Sequence, residues 1–323
     1  MGVTSPDPRP PITTASGLVA RLPWRLRVAH RIAGFFIAHP ARGTARLRRL
    51  VARSLAPRPS GPVVVSTALG FPLLIDPRIG FGVEHAIYYE GIYEAGTLYF
   101  LQHALQMGDV FVDAGANIGL MSIAAARWVG ARGRVYAFEP LQATFELLLR
   151  NIELNHALNV TAHAVALGSS PEFRSIYERR QAGRGATTLV AARDGQASDV
   201  VEVDTLDRFL ERSGRPTVRL VKIDVEGWEL ELLAGARELL AGADAPMLVL
   251  EYSTAVRLAG GAHRDLLAFL DSVNDYKFFR LVHGKESVSR LRAIRGPDDL
   301  PSEDNIFCLR PGHMTPRMAA LIE

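Results

Sequence analysis

From residue 109 onward the chain alternates short apolar runs with stretches whose apolar residues recur every three or four positions. The runs Val110–Asp113, Val135–Phe138, Val160–Ala164, Leu220–Asp224, Met247–Glu251 and Phe278–Val282 read as strands. Helical faces lie between them: Leu141, Phe145, Leu148, Leu149 and Ile152 share one stripe, as do Leu232, Leu233, Ala236, Leu239 and Leu240, and again Leu266, Leu267, Leu270 and Val273. Strand–helix alternation of this regularity predicts an α/β fold, a doubly wound, mostly parallel sheet with helices on both faces. Asn305–Leu309 is expected to add an edge strand. Residues 171–203 break the rhythm with the short runs Phe173–Tyr177 and Val200–Val203 around an Arg/Gly-rich stretch, Arg179–Gly185, which reads as an insertion with a mobile loop.

The first hundred residues follow other patterns. Residues 1–16 are rich in Pro, Ser and Thr and are expected to be disordered. Residues 17–56 read as one or two amphipathic helices broken near Pro40, and Pro57, Pro59, Gly61 and Pro62 mark a boundary. Val63–Ser66 and Pro72–Ile75 predict a hairpin, and Gly82–Gln106 a largely helical lead-in. The expected organisation is therefore an extension over 1–60, a lead-in over 61–108, the main domain over 109–310 and a tail over 311–323.

The 323 residues are 48% apolar, which excludes a fully disordered chain. A single cysteine, Cys308, rules out an intrachain disulfide and reads as core. No run is long enough to span a bilayer and no secretory signal is evident, so a cytoplasmic setting is expected. The net charge of +3 conceals an asymmetry: residues 1–60 hold eleven Arg against one acid, Asp7, so the remainder carries −7. A basic arm with Trp24, Phe35 and Phe36 interspersed suits contact with an anionic membrane or RNA. The reading favoured by composition alone is packing on its own domain or on a second subunit.

Two strand ends carry the candidate chemistry. Asp113-Ala-Gly115-Ala-Asn117-Ile-Gly119 follows a strand and opens a helix, where Gly115 lets the backbone approach a ligand and Gly119 lets the helix pack closely. The spacing differs from the G-x-G-x-x-G of a nicotinamide site, and Asp113 would repel a pyrophosphate but suit an ammonium group. Glu139 closes the second strand, where an acid holds ribose hydroxyls in doubly wound folds. Ribose, a cationic amino-acid portion and no phosphate describe S-adenosylmethionine, with Ala164, Val165, Ala166 and Leu167 after the third strand flanking its adenine. Farther on, Lys222, Asp224 and Glu226 fall on one face of a strand that should be apolar throughout, which predicts a cleft at that end. Asp224 and Glu226 are assigned to the reaction centre, with His283 as a possible base. Two carboxylates could share a divalent ion, but no third ligand is evident and no metal is assigned.

These segments, with Ala137-Phe-Glu-Pro140, Asp204-Thr-Leu-Asp207, Val221-Lys-Ile-Asp-Val-Glu-Gly227 and the upstream Gly91-Ile-Tyr-Glu94, resemble the FkbM-type family of S-adenosylmethionine-dependent methyltransferases over roughly residues 60–310. The resemblance implies a Rossmann-like seven-strand sheet with an antiparallel final strand, and O-methylation of a hydroxyl on a sugar, polyketide or related small metabolite. Trp228 stands where the family more usually has a small residue, which narrows the acceptor side. A nucleic-acid acceptor is disfavoured by the acidic body; a non-catalytic cofactor-binding scaffold is the alternative from a different class.

Overall fold

In the computed structural model the described residues are 23–39, 44–78, 82–178, 187–189, 196–252 and 263–323. The extension contributes two helices, α1 (Trp24–Ala38) and α2 (Thr44–Leu55), followed by the hairpin β1 (Val63–Ser66) and β2 (Pro72–Ile75). The lead-in is not one helix but two, α3 (Val83–Glu90) and α4 (Ala95–Ala104). Gly91 ends α3 with φ +78°, and Glu94 takes a left-handed φ of 48° before α4 begins. Residues 1–16 and the stretch 179–185, expected to be a mobile loop, lie outside the described residues.

The main domain follows the order β3 (Val110–Ala114), α5 (Leu120–Val129), β4 (Arg134–Phe138), α6 (Gln142–Leu154), β5 (Val160–His163), β6 (Ala166–Leu167), β7 (Glu172–Glu178), β8 (Thr187–Thr188), β9 (Gln196–Asp204), α7 (Leu206–Arg212), β10 (Val218–Ile223), α8 (Glu229–Ala234), α9 (Arg237–Ala241), β11 (Met247–Tyr252), α10 (His263–Val273), β12 (Lys277–Leu281), β13 (Leu291–Ala293), β14 (Asp304–Leu309) and α11 (Pro316–Ala319). Eight strands form one sheet in the order β13-β12-β14-β11-β10-β3-β4-β5. The five from β11 to β5 run parallel, and β14 is antiparallel to both of its neighbours. The resemblance implied seven strands; β13 is an eighth, at the edge. Asn305–Leu309, expected at the edge, is instead interior, buried along its whole length between β11 and β12.

Period-two alternation sorts the sheet's side chains into two cores. Phe111, Val135, Leu220, Val249 and Phe307 pack with α4 and α5 on one face. Val112, Tyr136, Val221, Leu250 and Cys308 pack with α7, α8, α9 and α10 on the other. The single stripe over Leu232–Leu240 is two short helices, parted at Gly235, where a Cβ would stand 1.9 Å from the Gly168 carbonyl oxygen.

The insertion builds a second sheet, β6-β9-β7-β8, with its own small core of Leu141, Ala166, Ile176, Leu189, Val201 and Val203. The segment expected to be a tail is docked: Met318 and Leu321 are buried, and Leu291 N–H donates to the Leu321 carbonyl. The arm is docked as well. Leu26, Ala29, Ala33 and Ile37 are buried, the His30 ring lies 2.8 Å from the Tyr88 carbonyl on α3, and Arg48 pairs with Glu90. No helix among the described residues is long and apolar enough to cross a membrane.

Candidate functional site

Strand order reverses between β3 and β10, and a crevice opens beyond the carboxyl ends of strands at such a point. A cavity of about 290 Å³ lies there, lined by both candidate turns. Asp113, Gly115, Asn117 and Glu139 border it from β3 and β4, and Lys222, Asp224 and Glu226 from β10 and the turn after it. Gly119 is not in the lining; it sits behind, at φ +93°, where a Cβ would stand 2.7 Å from Leu148 of α6. Val165 and Ala166 reach the cavity, joined by Leu167. Ala164 is exposed and outside it, because β5 ends at His163 and the chain turns before β6.

The Gly115 position is demanded by the protein itself. Its φ is +82°, and a Cβ would fall 1.9 Å from the Asp224 carbonyl oxygen. The missing side chain makes room for the β10 end rather than for a ligand, so the two turns are locked against each other. Asn117, at φ 50°, donates its N–H to Glu139 Oε2 at 3.0 Å, and Leu141 N–H donates to Glu139 Oε1 at 3.0 Å. Glu139 therefore ties the turn to the start of α6. Burial pushes its carboxyl up to about 7, against the two amides that favour the charged form.

Asp113 is fully buried and pairs in register with Lys222 on the adjacent strand. Ser122 Oγ donates to its Oδ2 at 2.6 Å, while Oδ1 is buried without a hydrogen-bond partner. Burial raises its carboxyl above the usual range, with Lys222 opposing. An orphaned carboxylate oxygen bordering the cavity is the feature that an ammonium donor would satisfy, and an acid at the β4 end fits a ribose diol. The residues present fit S-adenosylmethionine.

At the β10 end the strand stops at Ile223, so Asp224 is the first residue beyond it, and Glu226 adopts a left-handed φ of 54°. Lys222 Nζ lies 2.7 Å from Asp224 Oδ2. Burial alone would raise Asp224, but Lys222, with Lys285 beyond it, holds it below the usual carboxylate range. Glu229, not anticipated, fixes this turn by accepting from Gly227 N–H at 3.1 Å and Val225 N–H at 3.3 Å; burial pushes it up to about 7.

The third carboxylate that the sequence did not reveal is Glu251, near the end of β11. One oxygen each from Asp224, Glu226 and Glu251 lie within 4.8 Å of one another, a set that could hold a divalent ion. Burial and the neighbouring Asp224 charge raise Glu251 well above its ordinary value, with Lys285 Nζ 3.3 Å from its Oε1. Lys285 also pairs with buried Glu94 at 2.9 Å, and Asn305 Nδ2 donates to Glu94 Oε2 at 3.0 Å. His283 does not join them: it is exposed and outside the cavity, and the loop after β12 delivers Lys285 instead. The signals for Glu251 and Glu94 were an acid ending an otherwise apolar strand and a motif residue immediately before a helix.

Among the described residues, six acids line the cavity against one lysine. Trp228 forms a wall with Ile176 and Leu189 of the insertion, and Arg174 stacks 4.4 Å over its ring. Asp204-Thr-Leu-Asp207 stays outside: Thr205 caps α7 and Asp207 accepts from Glu238 and Leu239 N–H at the start of α9.

Residues 113–278 match the model of the methyltransferase FkbM domain. The chain is 34% identical over 156 residues to methyltransferase sdnD of Sordaria araneosa, covering 39% of this chain and 60% of that protein. It is 26% identical over 147 residues to the hexuronic acid methyltransferase AglP of Haloferax volcanii, covering 46% and 58%. The chain thus spans less than two thirds of the length of these relatives. A solved precorrin-6y C5,15-methyltransferase from Geobacter metallireducens is similar at 16% identity with a TM-score of 0.40, over 73% of this chain and 95% of that one.

Proposed function

Because this chain belongs to the FkbM methyltransferase domain family, whose methyl donor is S-adenosylmethionine, we propose that it is an O-methyltransferase acting on a hydroxyl of a sugar, polyketide or related small metabolite. The observation that carries this reading is one cavity joining the buried, half-partnered Asp113 and the strand-end Glu139 to Asp224 and Glu226 beyond β10 and Glu251 near the end of β11.

When bound, the cofactor supplies an electrophilic methyl group whose leaving thioether is neutral, so the protein's task is positioning and acceptance of the hydroxyl proton. Asp113 is suited to the ammonium group and Glu139 to the ribose. Asp224, kept ionised by Lys222, accepts a hydrogen bond from an acceptor hydroxyl and orients it, but its low proton affinity makes it a poor base. Glu226, whose carboxylate lies within 4.8 Å of Asp224, takes the hydroxyl proton as the O–C bond forms and the C–S bond breaks, and Glu251 extends the same acidic surface. An acidic lining repels phosphates, which counts against a nucleic-acid acceptor. The name of the Haloferax relative supports including uronic acids among the acceptors tested.

Calorimetry is expected to show binding of S-adenosylmethionine and its demethylated product, and none of NAD. Labelled methyl transfer to a panel of sugars, uronic acids, diols and phenols then reads out the acceptor. Binding of NAD without either adenosyl compound overturns the cofactor assignment; transfer confined to nitrogen acceptors overturns the hydroxyl class.

A further inference from the structure

The arm's inner face is occupied by α3, which leaves the outer face of α1 to be explained. Trp24, Arg27, Arg31 and Phe35 are all exposed, Trp24 to 65% and Phe35 to 60%. At 100° per residue these four positions fall within about 80° of the helix circumference, so they form one strip rather than a scatter. Neither α1 nor α2 contains an acidic residue. Phe35 stacks on the His39 ring at 4.7 Å, yet it and Trp24 both keep most of their surface exposed on the same strip as the two arginines.

We infer that this outer strip of α1 docks on an anionic lipid surface, with Trp24 and Phe35 entering the headgroup boundary and Arg27 and Arg31 lying along lipid phosphates and carboxylates. The pattern is that of an interfacial helix: aromatic residues at either end of a strip whose middle is cationic. A second copy of the chain is a poor occupant, because a two-fold contact through this strip would bring Arg27 and Arg31 against their own equivalents. RNA is also a poor occupant. Bases stack on aromatics set in a groove or on a sheet, whereas this strip is the convex side of a helix. The inference does not depend on methyl transfer. The rest of the molecule gives the docking a direction, since α3, which α1 covers, carries Val83 into the cavity wall.

The test is co-sedimentation of the full chain with phosphatidylcholine vesicles, with and without phosphatidylserine, across a salt series. Binding is expected only to the anionic vesicles and to fall as salt rises. Arg27→Glu with Arg31→Glu is expected to weaken partitioning about tenfold or more. Trp24→Ala with Phe35→Ala is expected to weaken it while leaving the salt slope in place. Far-UV circular dichroism of each variant should match the parent, because the substituted side chains are exposed. The inference is overturned if the full chain ignores anionic vesicles at low salt, or if both double variants bind as the parent does. It is equally overturned if RNA, but not vesicles, is retained, or if the chain is a dimer that Trp24→Ala with Phe35→Ala dissociates.

Discussion

The ribose contact proposed for Glu139 is strongest when its carboxyl is charged, yet burial favours the neutral acid up to about pH 7. Ligand binding through a carboxylate draws the group toward its charged form, so affinity should track ionisation. The dissociation constant for the demethylated cofactor is expected to improve as pH rises from about 6 to about 8. Glu139→Gln should abolish that slope and weaken binding by about 1.5–3 kcal/mol, measured by calorimetry at each pH. Glutamine is a better substitution than alanine, because its single amide oxygen keeps one of the two contacts that Glu139 makes with the Asn117 and Leu141 N–H groups. Asp224→Asn keeps the shape and removes the charge; with an acceptor from the panel, turnover is expected to fall about 10²-fold, the scale of a misplaced acceptor hydroxyl, with cofactor affinity little changed. Near-parent turnover in both Asp224→Asn and Glu226→Gln would move the chemistry to Glu251, since His283 lies out of reach.

Among elements, the junction of the first turn with the β10 end is the least tolerant of change. Gly115→Ala adds a methyl into the Asp224 carbonyl and strains a positive φ. A loss of roughly 2–4 kcal/mol is expected in urea unfolding, with a shifted midpoint and an unchanged slope. Elements of this kind were readable in the sequence where one local signal sufficed. Apolar runs located the six strands to within two residues, and Gly115 and Glu139 marked two strand ends that border the cavity. What stayed hidden depended on distant pairing. Nothing local distinguishes a buried edge strand from β14, whose position between β11 and β12 follows from how the chain returns. Glu251 joins Asp224 only because their strands are neighbours, and Lys285 reaches Glu94 across 191 positions of sequence. Ala164 failed for the opposite reason: a strand one residue shorter than its apolar run turned it to solvent.

At the scale of the whole molecule, buried carboxyl groups with raised values govern how stability depends on pH. Glu139 and Glu229 both sit near 7 in the folded protein, against 4.5 for an unperturbed glutamate. The folded state therefore holds protons that the unfolded chain releases. The stabilisation is complete below about pH 4.5 and is lost as pH rises through about 7, by about 3 kcal/mol for each group. Asp224 acts in the opposite sense, its contribution being lost in acid. Urea midpoints for the ligand-free protein are expected to be highest in mildly acidic buffer and to fall toward pH 8, with Glu229→Gln flattening that fall.

The contact between Gly115 and the Asp224 carbonyl also bears on anyone seeking to retarget this scaffold. The β3 and β10 sides of the cavity share a wall one backbone thick, so a change at 224–228 will alter the Gly115 turn as well. Substitutions across that wall should be non-additive, and a double-mutant cycle pairing Asp224→Asn with Glu139→Gln reads the coupling directly. Ile176 and Leu189 border the cavity from the separate insertion sheet, in one cluster with Leu141 and Ala166 and away from the Gly115–Asp224 contact. The cavity's shape can be varied there while the two locked turns are left as they are.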